Sequence, residues 1–346
     1  MTRFALSSSP DTASGRRRRA TIRATDLALL AGVAALVACA GPQSALDPAG
    51  RGAERIAELF WWMTAGTVVV WAAVMALAFY VSTRRREPGP RAPGVLIVGG
   101  GVVLPVLVLT ALLIWGLALL PSLLAGVDAE PTLFVTGRQF WWEVVYRTSD
   151  GRVVPLANEL RLPVGRPAVL QLDSHDVIHS LWIPALAGKV DMIPGRVTRL
   201  TLEPSRTGVF RGLCAEYCGL SHAHMAFVVA VTEEHEFAEW LAHQAEPASA
   251  PASPLAARGQ ELLLAHGCGA CHTIRGTLAD GDVGPDLTHV GGRLSIAAGT
   301  LSSDPRAFQR WIEAPEQVKP GVHMPAFAML PQADREALAA YLEGLK

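Results

Sequence analysis

Two uncharged, mostly apolar runs dominate the first third of the chain, Leu59 to Ser82 and Gly94 to Val127. Each exceeds the roughly 20 residues a helix needs to cross a bilayer's hydrocarbon core, so the pattern predicts a two-helix transmembrane hairpin over residues 59–128. The connecting loop, residues 83–93, carries Arg84, Arg85, Arg86 and Arg91. Short basic loops stay in the cytoplasm, which places everything after Val127 outside. Trp61, Trp62 and Trp115 suit either interfacial anchoring or bundle packing. Gly99, Gly100, Gly101 and Pro105 would weaken a soluble helix but are tolerated among packed membrane helices.

A shorter apolar run, Leu27 to Ala40, spans about 14 residues and follows the basic cluster Arg16 to Arg19 and Arg23. That length suits the apolar core of a signal peptide, here residues 1–39, better than a span. It ends in Leu36-Val37-Ala38-Cys39-Ala40, which resembles a bacterial lipobox and implies lipidation at Cys39. Ordinary cleavage after small residues, with Cys39 incidental, is the alternative. The arginines resemble a twin-Arg export signal, but the apolar residues that should follow the pair are missing.

Beyond Asp128 the period shortens. Thr132 to Thr136, Phe140 to Tyr146, Arg166 to Leu172, Val197 to Leu202 and Ala226 to Val231 read as strands separated by Gly, Pro, Asp and Ser. This texture predicts a β-sandwich or barrel over residues 129–244. Its last segment, Glu233 to Gln244, has helical spacing with Phe237, Trp240 and Leu241 on one face. Ala245 to Pro254 is a Pro/Ala/Ser run, expected to act as a semi-rigid linker reaching on the order of 30 Å. Residues 255–346 then open and close with helical patterns, Leu255 to Leu264 and Asp334 to Leu345, and predict a small all-α domain.

Composition sharpens this in two ways. Half of the 346 residues are apolar, as a partly membrane-embedded chain requires, and the net charge of −1 leaves no basic excess for nucleic acid. The five cysteines fall at Cys39, at Cys214 and Cys218, and at Cys268 and Cys271, so spacing assigns them to three separate places and none to a structural disulfide.

The segment from Cys214 to Met225, C-A-E-Y-C-G-L-S-H-A-H-M, gathers two thiols, two imidazoles and a thioether. Soft thiolate and thioether ligands together with imidazole select copper. A single electron-transfer copper needs one Cys, so a pair points to a binuclear centre once a further histidine is supplied. His175 and His179, in D-S-H-D-V-I-H-S-L-W-I-P, follow a β-type run and precede a stiff proline-containing segment. A second motif, Cys268-Gly269-Ala270-Cys271-His272, fits covalent haem attachment with His272 as axial ligand. CxxC alone would also serve zinc or a redox disulfide.

D-V-I-H-S-x-W-I-P, Lys189, I-P-G-R at Ile193 to Arg196 and C-x-E-x-C-x-x-x-H-x-x-M together resemble cytochrome c oxidase subunit II across its cupredoxin domain, a Greek-key β-barrel or sandwich. The two-span topology matches as well. The resemblance implies a dinuclear copper A centre in which Cys214 and Cys218 bridge two coppers. His179 and His222 cap one metal each, Met225 is a weak ligand, and the Glu216 carbonyl completes the set. By motif register His179 and His222 rank above their neighbours His175 and His224. It further implies a magnesium or manganese ion on the Glu216 carboxylate, shared with subunit I.

Gly137-Arg138-Gln139-Phe140-Trp141-Trp142-Glu143 resembles the family's aromatic patch for taking up electrons, with Phe140 where the family usually has Trp, followed by Trp141 and Trp142. Core packing is an equally good reading of each aromatic alone. The family's carboxylate at the mouth of a proton path would fall near Val98, yet no acidic residue lies between Glu87 and Asp128.

The haem motif, with G-P-D-L at Gly284 to Leu287 and K-P-G-V-H-M-P at Lys319 to Pro325, resembles a class I cytochrome c, which makes Met324 the second axial ligand. His323 and Met329 are the alternatives, and Trp311 is expected to pack against the haem. The combination resembles a caa-type subunit II in a bacterial inner membrane, its copper and haem domains on the outer face. The implied partners are subunits I and III, with a soluble cytochrome c or a bc-type complex as donor. A copper A subunit of a nitric oxide reductase and a stand-alone membrane-anchored relay are the other readings, to be separated by the large subunit that co-purifies.

Overall fold

The computed structural model describes residues 40–83, 89, 91–123, 130, 132–148 and 150–346. The expected signal peptide, Cys39 and most of the basic loop lie outside them.

Helix α1, Arg51–Thr83, begins eight residues before the uncharged run and carries Arg51, Glu54, Arg55 and Glu58 in its first turns. Those turns are an anchor rather than a span. Ala49 and Ala53 donate their amides to the carbonyls of Ala185 and Leu186, and Ala53 and Ala57 are buried. Ser205 Oγ donates to Glu54 Oε1 at 2.6 Å. The charged foot of the helix is thereby fixed to the β domain. From Phe60 onward the apolar side chains are exposed all round, as lipid contact demands. Helix α2 is built of Ala92–Val95, a π-helical stretch Leu96–Val103 and Leu104–Leu123. The π stretch contains the three consecutive glycines, where weak helix propensity lets the wider turn form. Both helices are long and apolar enough to cross a membrane.

Ten strands form a sandwich of two five-stranded sheets: β1 Leu133–Arg138, β2 Trp141–Arg147, β3 Val153–Ala157, β4 Glu159–Pro163, β5 Ala168–Ser174, β6 His179–Trp182, β7 Val190–Met192, β8 Thr198–Leu202, β9 Gly208–Cys214 and β10 Ala226–Thr232. One sheet runs β3-β2-β1-β5-β8 and the other β4-β10-β9-β6-β7, each with one parallel pair, β1 with β5 and β10 with β4. In β1 and β2 alternate residues are buried, so Leu133, Val135, Trp142, Val144 and Tyr146 face the opposite sheet. Helix α3, Glu234–Ala245, follows with a capping box between Glu233 and Glu236, and lays Phe237, Trp240 and Leu241 against that core.

The third region is helical. Helix α4, Pro254–Ala265, starts at Ser253, whose hydroxyl accepts from the Ala256 amide, and packs against α7, Gln332–Gly344. Helices α5, Pro305–Glu313, and α6, Pro315–Val318, complete it beside a two-stranded hairpin, β11 Ser295–Ile296 with β12 Leu301–Ser302. Asp304 caps α5 through the Ala307 amide.

Residues 246–253 of the Pro/Ala/Ser run are not helical, and hydrogen bonds tie the start of the run to the helical region. Arg275 donates to the carbonyls of Gln244 and Ala245 at 2.6 and 3.1 Å, Ala248 donates to the Arg275 carbonyl, and His289 Nε2 lies 3.0 Å from the Glu246 carbonyl. The run is held chiefly by its backbone groups, with Ala248 packed against the helical core, which composition does not reveal.

Candidate metal centre

Hairpin geometry brings the copper-type residues together. His179 opens β6, Cys214 closes β9, and Leu181 of β6 pairs with Cys214 in an antiparallel register. The loop after Cys214 then folds back, with a 3-10 turn at His222–His224, before β10 begins at Ala226. Around Cys214 and Cys218 every donor is close. The two Sγ atoms are 3.9 Å apart, His179 Nδ1 is 3.7 Å from Cys214 Sγ, His222 Nδ1 is 3.7 Å from Cys218 Sγ, and Met225 Sδ is 3.8 Å from Cys218 Sγ. The Glu216 carbonyl lies 3.1 Å from Cys214 Sγ. His179, Cys214, Cys218 and Met225 are all buried. Two buried sulfurs 3.9 Å apart, each with an imidazole nitrogen at 3.7 Å, would suit soft cations.

The second coordination layer is equally defined. Asp176 accepts from His179 Nε2 at 2.8 Å and from the amides of Gln139 and Val177 at 2.6 and 2.7 Å. This turns His179 Nδ1 toward the sulfurs. Burial works against both ions, but the hydrogen bonds outweigh it: the Asp176 carboxyl is held below its ordinary value, and His179 is raised by Cys214 and Asp176. The thiols share one proton. Its hydrogen bond from Cys218 draws Cys214 down to about 4, and the resulting thiolate, with burial, pushes Cys218 up. Removing the remaining proton beside the existing thiolate is unfavourable until a bound cation offsets the second negative charge. Gly137 in β1 leaves room for the imidazole, since a Cβ there would stand 2.7 Å from His179 Cδ2. His175 and His224 are exposed and take no place around the sulfurs.

The aromatic stretch is mostly interior. Trp142 is fully buried, 5.3 Å from the Phe227 ring and 6.1 Å from the His179 ring, while Phe140 is buried at the joint with the helical domain. Trp141 is half-buried beneath the Arg138 guanidinium.

Cys268, Cys271, His272, His323 and Met324 line a cavity of about 620 Å³, which Met329 does not border. His272 Nδ1 is held by the Pro285 carbonyl at 2.8 Å, leaving Nε2 as the free nitrogen. A Cβ at Gly284 would stand 2.5 Å from that ring. Two thiols, an oriented imidazole and a thioether around an apolar space of this size fit a covalently attached haem. Trp311 borders the same space, as does the far wall of Gln139, Phe140 and Asp176 from the sandwich. Gln139 also donates to the Cys218 carbonyl at 2.5 Å.

Sequence reasoning gave no role to Asp176, Gln139, Ser221 or Lys319, although each stands inside one of the motifs quoted above.

Residues 143–232 match the family described as cytochrome c oxidase subunit II, periplasmic domain, and residues 256–346 match cytochrome c. Cytochrome c oxidase subunit 2 of Alkalihalophilus pseudofirmus is 32% identical over 332 residues, which are 90% of this chain and 94% of that one. The chain belongs to the cytochrome c oxidase subunit 2 family. Cytochrome c oxidase subunit 2 of Bacillus subtilis is 31% identical over 88% of this chain and 92% of its own length. A crystal structure of the periplasmic domain of subunit II of cytochrome oxidase from Bradyrhizobium japonicum is 32% identical, covers 34% of this chain and 94% of that one, and superposes with a TM-score of 0.31. The chain therefore carries a domain of the subunit II periplasmic family, a cytochrome c domain at its C-terminus and two helices long and apolar enough to cross a membrane, and this architecture supports a role in electron transfer.

Proposed function

We propose that this chain receives electrons on its cytochrome c domain and delivers them through its copper A domain to subunit I of a respiratory oxidase, where oxygen is reduced to water. The haem iron and the copper pair, when bound, supply reversible one-electron storage. His179, Cys214, Glu216 through its carbonyl, Cys218, His222 and Met225 would hold the copper pair; Cys268, Cys271, His272 and Met324 would hold the haem. The protein's part is positioning. Asp176 orients His179, the Pro285 carbonyl orients His272, and the sandwich keeps water from the sulfurs.

The observation that carries this reading is the shared wall: Gln139 borders the haem-type cavity and donates to the Cys218 carbonyl, so one side chain touches both sites. Electrons reach the cytochrome domain from a soluble cytochrome c or a bc-type complex on the outer face of a bacterial inner membrane, and subunit III belongs to the same assembly. Glu216 is half-buried and joins no acidic cluster among the described residues. A magnesium or manganese ion there takes its other ligands from subunit I. The working boundaries are residues 129–244 for the copper domain, 245–254 for the connection and 255–346 for the cytochrome domain.

Purification from native membranes tests the whole. Haem c and copper A absorption together with oxygen uptake are expected in one complex; a chain that emerges alone, without a haem-bearing large subunit, would refute it.

A further inference from the structure

Lys319 is 2% exposed and ranks among the largest fully buried side chains of the protein. Burying an ammonium is expensive unless a carboxylate pairs with it, and none among the described residues does. Its Nζ instead donates at 2.5 Å to the backbone carbonyl of Phe140, 179 residues away in the sandwich. Burial draws its pKa down to about 7, against a weaker upward pull from Cys218. The helical domain gains nothing of its own from this placement, because the acceptor belongs to the other domain.

The next residue makes a second bond across the same joint. Ser221, fully buried beside His222, donates its hydroxyl to the Pro320 carbonyl at 2.8 Å. Gly321 follows, where a Cβ would stand 3.1 Å from Leu220 Cδ1. Three consecutive residues thus rest on Phe140, Leu220 and Ser221, and three residues further on stands Met324. On the sandwich side Ser221 lies between Cys218 and His222 in sequence. One turn therefore connects the loop holding the thioether to the loop holding the sulfur pair.

We propose that Lys319 is a positioning residue for electron transfer between the two sites: by donating across the domain joint to the Phe140 carbonyl it fixes the Met324 loop against the Cys214–Met225 loop. This rests on the proposed function, and it replaces a mobile tethered domain with one held in a single register.

The test uses the full chain, loaded with haem and copper, and compares it with Lys319→Met, which keeps the bulk and removes the donor. Losing this buried hydrogen bond should shift the docked equilibrium by about 3- to 10-fold. Amide hydrogen exchange in residues 219–225 and 319–325 is expected to speed up by that factor. The haem-to-copper transfer rate after a light pulse should fall, while both optical spectra stay unchanged. Unaltered exchange and an unaltered rate would overturn the proposal. If Lys319→Met does not fold, Ser221→Ala removes the neighbouring bond across the same joint, to the Pro320 carbonyl, and unaltered exchange together with an unaltered rate there would overturn the joint's role. A parent chain lacking copper A absorption would instead refute the functional reading.

Discussion

Asp176 and His179 are joined by a 2.8 Å hydrogen bond from Nε2 to the carboxylate, and the same carboxylate accepts two backbone amides. An acceptor so occupied fixes the ring as a rigid part of the β6 edge. Asp176→Asn puts an amide nitrogen among donors and frees the ring. Copper affinity is expected to fall by about 10- to 100-fold, the usual cost of losing an outer-shell partner, read by competition titration with a copper chelator.

Cys218 is within 4 Å of Cys214 Sγ, His222 Nδ1 and Met225 Sδ. Replacing it with Ser should abolish the mixed-valence near-infrared absorption of a copper pair and leave the covalent haem spectrum intact. Persistence of that absorption would refute the bridging role.

Met324 borders the haem-type cavity and Met329 is 76% exposed away from it. Met324→Ala is expected to lower the haem potential and open a coordination position to external ligands, because a thioether opposite histidine raises the potential. Met329→Ala should change neither; carbon monoxide binding to the reduced protein distinguishes the two.

The two apolar helices were legible from run length, and the clustering of Cys214, Cys218, His222 and Met225, like that of Cys268, Cys271 and His272, from short spacings of uncommon residues; His179 and Met324, distant in sequence, came only from the family resemblance. Strands with alternating exposure, such as Leu133–Arg138 and Trp141–Arg147, were legible too. Others were missed because their apolar and polar residues form no legible pattern in the sequence. Glu159–Pro163 is buried on both faces except at Arg161, His179–Trp182 has only four residues, and Gly208–Cys214 is broken by two glycines and an arginine. The joint between the domains was illegible for another reason. It is made by backbone carbonyls of Phe140 and Pro320, and carbonyls have no identity in a sequence.

His289 is buried between the carbonyls of Glu246 and Lys346, with the His243 ring 4.8 Å away and Arg275 also bearing on it. Burial lowers its pKa below the ordinary value of 6.5 despite the two carbonyls. A group that protonates more readily unfolded than folded favours unfolding in acid. Stability should therefore be complete above 6.5 and decline as pH falls from there toward the folded value. Thermal unfolding of the cytochrome region between about pH 5 and 8 should show this slope, flattened in His289→Gln.

Arg275 holds the connection between the domains by two carbonyls and pairs with Asp286 at 3.5 Å. Arg275→Ala should cost about 2 kcal/mol and expose residues 245–254 to proteases. Limited proteolysis, with the cut sites mapped by mass, checks both.

The pinned connection and the buried joint have a kinetic consequence. A domain held in place makes no diffusional search, and contacts shielded from solvent are barely screened by ions. The step inside this chain should therefore be indifferent to ionic strength, whereas delivery by any mobile partner changes with it. A salt series on the intact complex separates the two, assigning each measured rate to one side of the cytochrome domain or the other.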